Sequence, residues 1–226
     1  MSYRTLTLFE IRNDNLQVTV IGYFEKMKNR LFLISFIFLV GCATTRVHFR
    51  NQKLFSFDNL TLNYALELEK KLNSQDISPD YRIGLGKGIY PNEKNYELEI
   101  SRNFKRIEKP NFSLEVDYHF TKDSTVRVIM YEWNDLKKEN GVRFSTDKQR
   151  AKRRKVFKSK FDSLTKKLTK ELGNPTFIEI ESNNKPLDGN FRDGIKWKNN
   201  GMNAYLFAFG NNENSYNQIR LAIYND

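Results

Sequence analysis

The chain has a single cysteine, Cys42, and so can close no disulfide within itself. It has only two histidines, His48 and His119. A Ser-His-Asp triad has little to draw on, and a zinc site built on several histidines is excluded. Five prolines and eleven glycines are too few for a collagenous or low-complexity chain. Acidic residues are short as well, 27 against 38 lysines and arginines, which leaves a formal charge of +11. No apolar run approaches the roughly twenty residues that span a bilayer, because the longest, residues 31–40, stops at Gly41. What is present is 39% hydrophobic and 14% aromatic content, enough to build a core.

The short apolar run is bounded on both sides. Met27-Lys28-Asn29-Arg30 precedes it, and Gly41-Cys42 follows. A basic segment, a brief apolar core and a small residue before the cut make a secretory signal. A cytosolic core helix would explain neither the paired cations nor the small residue at that spacing. Leu39-Val40-Gly41-Cys42 resembles the lipobox of bacterial lipoproteins. That resemblance covers Met27 to Cys42 and implies a diacylated Cys42 thiol, cleavage before it and an acylated new amino end. Residues 1–26 carry Glu10, Asp14 and Glu25 and fit no signal, so they read as an upstream extension with translation starting at Met27. The expected order is a signal over 27–41, lipid attachment at Cys42, a polar tether over 42–53 and a globular domain over 54–226. Among lipoproteins, alanine at position 43 and no acidic run after Cys42 imply an outer-membrane protein facing the periplasm.

Residues 1–41 hold five cations and three anions, which leaves about +9 on the part beginning at Cys42. Most of it sits between Asp147 and Leu172, with eleven cations against three anions. A basic segment of this kind raises nucleic acid as a partner, but the export signal takes nucleic acid out of reach. Anionic glycolipid or polymer replaces it, with Arg153, Arg154, Lys155 and Lys158 as candidate contacts. The competing reading is a solvated helix face.

Ser56 or Asp58 is expected to open a helix reaching about Asn73, with Leu60, Tyr64, Leu68 and Leu72 inward and Glu67, Glu69, Lys70 and Lys71 outward. Residues 74–95 read as loop, and Gly84-Leu85-Gly86-Lys87-Gly88 lacks the spacing of a phosphate-binding loop. Alternation predicts strands over Tyr96–Ile100, Phe112–Phe120 and Thr125–Trp133, the last apolar on both faces and therefore central. Lys122-Asp123-Ser124 makes the turn. Thr146 and Gln149 form a capping box for a second helix whose Phe157, Phe161, Leu164, Leu168 and Leu172 share one side. Gly173 can end it in a left-handed conformation, and Pro175 forbids continuation. Four strands follow at Thr176–Glu181, Phe191–Lys198, Met202–Phe209 and Gln218–Tyr224, with a tight turn at Asn199-Asn200-Gly201 and a looser one over 210–214. The expected fold is α+β: a single domain with a largely antiparallel sheet of about seven strands and two helices packed on one face.

Glu115, Asp117 and His119 alternate along one strand and share a face, but such residues lie nearly 7 Å apart, too far for one metal at about 2 Å. A solvent-facing sheet surface accounts for them. Tyr131, Trp133, Trp197, Tyr205, Tyr216 and Tyr224 can stack on sugars only if exposed, and strand aromatics more often pack in the core. No catalytic set, metal site or cofactor motif stands out. The expectation is a lipid-anchored envelope protein that binds another envelope component without catalysis. Its rivals are a cell-wall or glycan hydrolase with paired carboxylates, and a binder of anionic glycolipid or polymer through residues 147–172.

Overall fold

The computed structural model describes residues 60–91, 96–144, 146–182, 189–211 and 216–225, all within a compact unit running from Phe55 to Asp226. The signal, Cys42, the tether with His48, Ser56, Asp58 and residues 212–214 of the second turn lie outside the described residues.

Thr61 caps the first helix, α1 (Leu62–Lys71), its hydroxyl accepting from the Tyr64 amide at 3.3 Å. The inward side of α1 differs from the expected leucine stripe. Tyr64 is 60% exposed, whereas Ala65 and the carboxylate of Glu69 are buried. A two-residue strand, β1 (Gln75–Asp76), follows within the expected loop. Instead of a strand over Tyr96–Ile100, Leu98 makes an isolated bridge to Thr121, and β2 runs over Arg102–Glu108. Next come β3 (Phe112–Phe120) and β4 (Val126–Asp135), joined by a turn in which Asp123 accepts from Thr121 and Thr125 and Ser124 takes φ +64°.

Asp135 caps a four-residue helix, α2 (Leu136–Glu139). The long helix α3 (Asp147–Leu172) starts at the Thr146–Gln149 capping box. It ends at Gly173, whose φ of +82° with ψ of −160° is a positive-φ conformation outside the left-handed helical basin. Its buried residues are the expected stripe plus Arg153. The chain closes with β5 (Phe177–Ile180), β6 (Asn190–Asn199), β7 (Met202–Asn211) and β8 (Tyr216–Asn225). Asn200 and Gly201 take φ of +48° and +79° in the tight β6–β7 turn.

The sheet has eight strands, one more than the hydrophobic pattern counts, in the order β1-β2-β3-β4-β8-β7-β6-β5 with antiparallel neighbours. The fold is α+β, with β4 central as expected. A helix followed by a four-strand meander occurs twice, and the meanders meet at their last strands.

Directly paired residues share a sheet face, so register assigns the layers. Leu114, Trp133, Ile219, Ala208 and Asp193 form one continuous row. Rows of the same parity hold the core residues Val116, Tyr131, Leu221, Leu206, Ile195 and Trp197. Tyr118 in this layer donates to Glu69 of α1 at 2.7 Å. Phe112 meets Phe157 of α3 edge-on at 5.0 Å, and Trp197 donates to Thr169 of α3 at 3.3 Å. The other layer holds Glu115, Asp117 and His119 with Glu132 and Arg220. Leu85 and Tyr90, from the loop before β2, cluster there with Val128, joined by Tyr224.

Candidate functional site: a cleft beside the long helix

Arg153 and Arg154 are adjacent on α3, and the helical rotation of about 100° between them sends them to different environments. Arg153 is buried with Asp135. Its Nε donates to Oδ2 at 2.9 Å, and its Nη2 lies 2.7 Å from Oδ1. Its Nη1 donates to Asn111 Oδ1 at 3.0 Å. Asp135 also accepts from the Lys137 amide at 3.0 Å as the α2 cap. Arg153 is thus spent on the junction of β4, α2 and α3.

Arg154, Lys155 and Lys158 line a cavity of about 410 Å³ between α3 and strands β5 to β8. Phe157 and Phe161 of α3, with Ile195 of β6 and Ala208 of β7, supply apolar walls. Phe191, Ile180 and Ser182 complete the side toward β5 and β6. Alanine at position 208 explains part of the space, because a longer side chain in that row would project beneath the helix. The volume lies within the range of about 300–1,000 Å³ typical of small-molecule sites.

The charges of the lining are unequal in their engagement. Lys158 reaches Asp162 at 3.2 Å, a partly exposed i,i+4 pair of small energetic weight. Asp193 is buried and accepts from both the amide of Ser182, at 2.8 Å, and its hydroxyl, at 2.6 Å. Arg154 and Lys155 have no ion-pair partner among the described residues. The cleft therefore combines apolar walls with the polar side chains of Thr165, Asn217 and Gln218, two engaged carboxylates, Asp162 and Asp193, and two cations, Arg154 and Lys155, without an ion-pair partner among the described residues. Three of the four basic residues expected from the sequence line it, and Arg153 does not. Asp193, Ser182 and Ala208 were not anticipated, since nothing local marks them as neighbours of α3.

A Ser182–Asp193 hydrogen bond without an imidazole is no nucleophilic triad. His119 lies in the opposite sheet layer, and it is 2% exposed, contrary to the expected solvent-facing position. Burial holds its pKa down at about 4, so it is neutral at pH 7, and its Nε2 has no hydrogen-bond partner among the described residues. Its neighbour Asp117 is pushed up to about 7, by burial first and then by the carboxylates of Glu132 and Glu115, against the pull of Arg220. Those two glutamates are themselves paired, Glu115 with Lys105 at 2.8 Å and Glu132 with Arg220 at 2.5 Å. Among the described residues no group of three His, Cys, Asp or Glu can hold a metal ion. The aromatics weighed as a sugar platform are packed inside: Tyr131, Trp133, Trp197 and Tyr205 are buried, Tyr224 is half-buried, and the Tyr216 side chain lies outside the described set.

Among the described residues no helix is long and apolar enough to cross a membrane. No protein-family model, curated protein or solved structure matches this chain.

Proposed function

We propose that this chain is a lipid-anchored bacterial envelope protein that holds an envelope component in the cleft beside α3, without covalent chemistry. Acyl chains on Cys42 tether the domain, and the residues after Cys42 favour the outer membrane, facing the periplasm. Two or more chains make such an anchor stable where one holds only reversibly. In this reading α1 and α3 cover the same sheet face, and the cleft is the gap that α3 leaves over the second meander. The observation that carries the binding role is the pairing of apolar walls with two cations, Arg154 and Lys155, that have no ion-pair partner among the described residues. The hydrolase alternative draws on the raised Asp117, but the carboxylates that raise it, Glu115 and Glu132, are tied up by Lys105 and Arg220.

Two measurements test the proposal. Intact mass and membrane fractionation of the native protein beside Cys42→Ser should show an acylated amino end at Cys42 and a variant released from the membrane. A chain that keeps residues 1–41 and is soluble would overturn the anchor. A photoreactive residue at position 155 should capture a discrete partner in cells that one at Lys122, in the β3–β4 turn, does not. Equal capture at both positions would overturn the cleft as the site.

A further inference from the structure

Resting on that cleft reading, we infer that the occupant is a membrane-derived anionic lipid with a single chain, its apolar part against Phe157, Phe161, Ile195 and Ala208 and its acidic head at Arg154 and Lys155. The walls and the cations ask for different things. An apolar lining contributes only to a ligand with apolar surface to bury. Uncommitted cations beside it favour an anionic head, because charge-assisted hydrogen bonds to phosphate or carboxylate are the strong ones. A polyanionic polymer satisfies the cations and leaves the apolar walls wet, whereas a neutral lipid satisfies the walls and leaves the cations idle. Only an anionic amphiphile uses both.

Size and the carboxylates sharpen the assignment. A volume near 410 Å³ lies in the lower part of the range of about 300–1,000 Å³ for small-molecule sites, which suits one short chain better than two. Asp193 is buried in the lining, which disfavours an anionic group beside it and places the head toward the cations of α3. Lys158, balanced by Asp162, adds little net charge there.

The test is calorimetric titration of the full chain carrying Cys42→Ser, which removes its own acyl groups as competitors. The probes are hexyl, octyl and decyl phosphate, decyl glucoside, inorganic phosphate and a sulfated polysaccharide, with the amphiphiles kept below their micelle concentrations. Decyl phosphate should bind tightest, and each methylene should contribute about fourfold, from about 0.8 kcal/mol per buried CH₂. Affinity for decyl phosphate should fall with salt. It should weaken about tenfold or more in Arg154→Ala/Lys155→Ala, while decyl glucoside binding stays unchanged. Ala208→Leu or Thr165→Leu, which fill the cavity from the strand and helix sides, should weaken both amphiphiles. Every variant carries the same signal segment, so what that segment captures cancels between variants for a given probe, and the chain-length series is read as the part that Ala208→Leu removes.

Two results would overturn the inference: affinity independent of chain length, or a polysaccharide that binds as tightly as decyl phosphate and ignores Ala208→Leu. If either occurs while position 155 still captures a specific partner in cells, the lipid assignment falls and the cleft reading stands. If position 155 also captures nothing specific, both fall.

Discussion

The two halves of the molecule follow the same order, a helix and then a four-strand meander, yet their helices are tied to the sheet differently. In the first half, α1 has ten residues and is fastened through Glu69, which is 1% exposed and receives Tyr118 Oη at 2.7 Å, Arg106 Nη1 at 2.6 Å and the Ser74 hydroxyl. Burial, followed by the neighbouring Tyr131 and Glu69, raises the Tyr118 hydroxyl well above its ordinary pKa, so it stays a donor. In the second half, α3 has 26 residues and is fastened at separated points, by Arg153 to Asp135, by Lys160 to Glu108 of β2 and by Thr169 to Trp197. Between these points lies the cleft. The difference teaches that a long helix tied at separated points leaves room over small side chains such as Ala208, where the cleft opens. Polar groups that are fully satisfied hold elements together; those left uncommitted are available to a ligand.

The largest effect should come from breaking the buried tie at Arg153. Arg153→Ala leaves Asp135 buried without its partner, and losing one member of a buried ion pair costs about 3–5 kcal/mol. Urea unfolding should report a lower midpoint. Replacing both partners, with Arg153→Met and Asp135→Leu, should cost less than the single change, because no unpaired charge remains. A double variant as unstable as the single one would show that the α2 cap, and not the pair, carries the junction. In the first half, Glu69→Gln keeps the shape but removes the charge facing Arg106 and should cost about 1–3 kcal/mol. If that change is neutral, the first half is not locked by its polar network and the contrast between the halves weakens.

Beneath the loop before β2, two neighbours on β3 titrate in opposite senses. The folded pKa of Asp117 is raised from 3.8 to about 7, so the folded state binds the extra proton and stability falls as pH rises from about 4 to 7. The folded pKa of His119 is lowered from 6.5 to about 4, so the unfolded state binds the extra proton and stability falls as pH drops from 6.5 to 4. The two slopes oppose one another over most of that window. Asp117→Asn should uncover the histidine, giving stability that climbs steadily from pH 4 to 6.5. At pH 8 the variant should exceed the parent by about 2 kcal/mol, roughly half of what the full shift implies at 1.36 kcal/mol per unit. Chemical denaturation across pH checks both the slope and the gain.

Much of this architecture was legible. The stripe Phe157, Phe161, Leu164, Leu168 and Leu172 marked the buried side of α3, and the Thr146–Gln149 box marked its start. Arg153 lies one four-residue step before Phe157 on the same stripe, so periodicity had already turned it inward, and only its charge hid the fact. β2 was illegible for a related reason. On the layer of Phe112 and Tyr118 it alternates Arg102, Phe104, Arg106 and Glu108, charges that become tolerable only beside Asp76, Glu69 and Lys160. The buried Glu69 escaped notice in the same way. The cleft was half legible. Its surplus cations stood out as a run, but a cavity depends on side-chain volumes contributed by β5 to β8, far along the chain from α3.

The smallest expected effect on stability separates the two adjacent arginines most sharply. Arg154 and Lys158 are like charges at i,i+4, an arrangement that disfavours a helix by about 0.2–0.5 kcal/mol. Alanine is also the best helix former. With no ion pair to lose among the described residues, Arg154→Ala/Lys155→Ala should leave stability unchanged or raise it by a few tenths of a kcal/mol, well inside the usual range of about 0.5 kcal/mol for surface changes. Thermal unfolding of this variant beside Arg153→Ala gives the comparison directly. Should the double variant lose more than about 1 kcal/mol, Arg154 and Lys155 belong with Arg153 to the framework of the fold, and the cleft loses its recognition groups. Unchanged or improved stability together with lost capture at the cleft would mean that these two cations sit where the fold gains nothing from them, as a binding site requires.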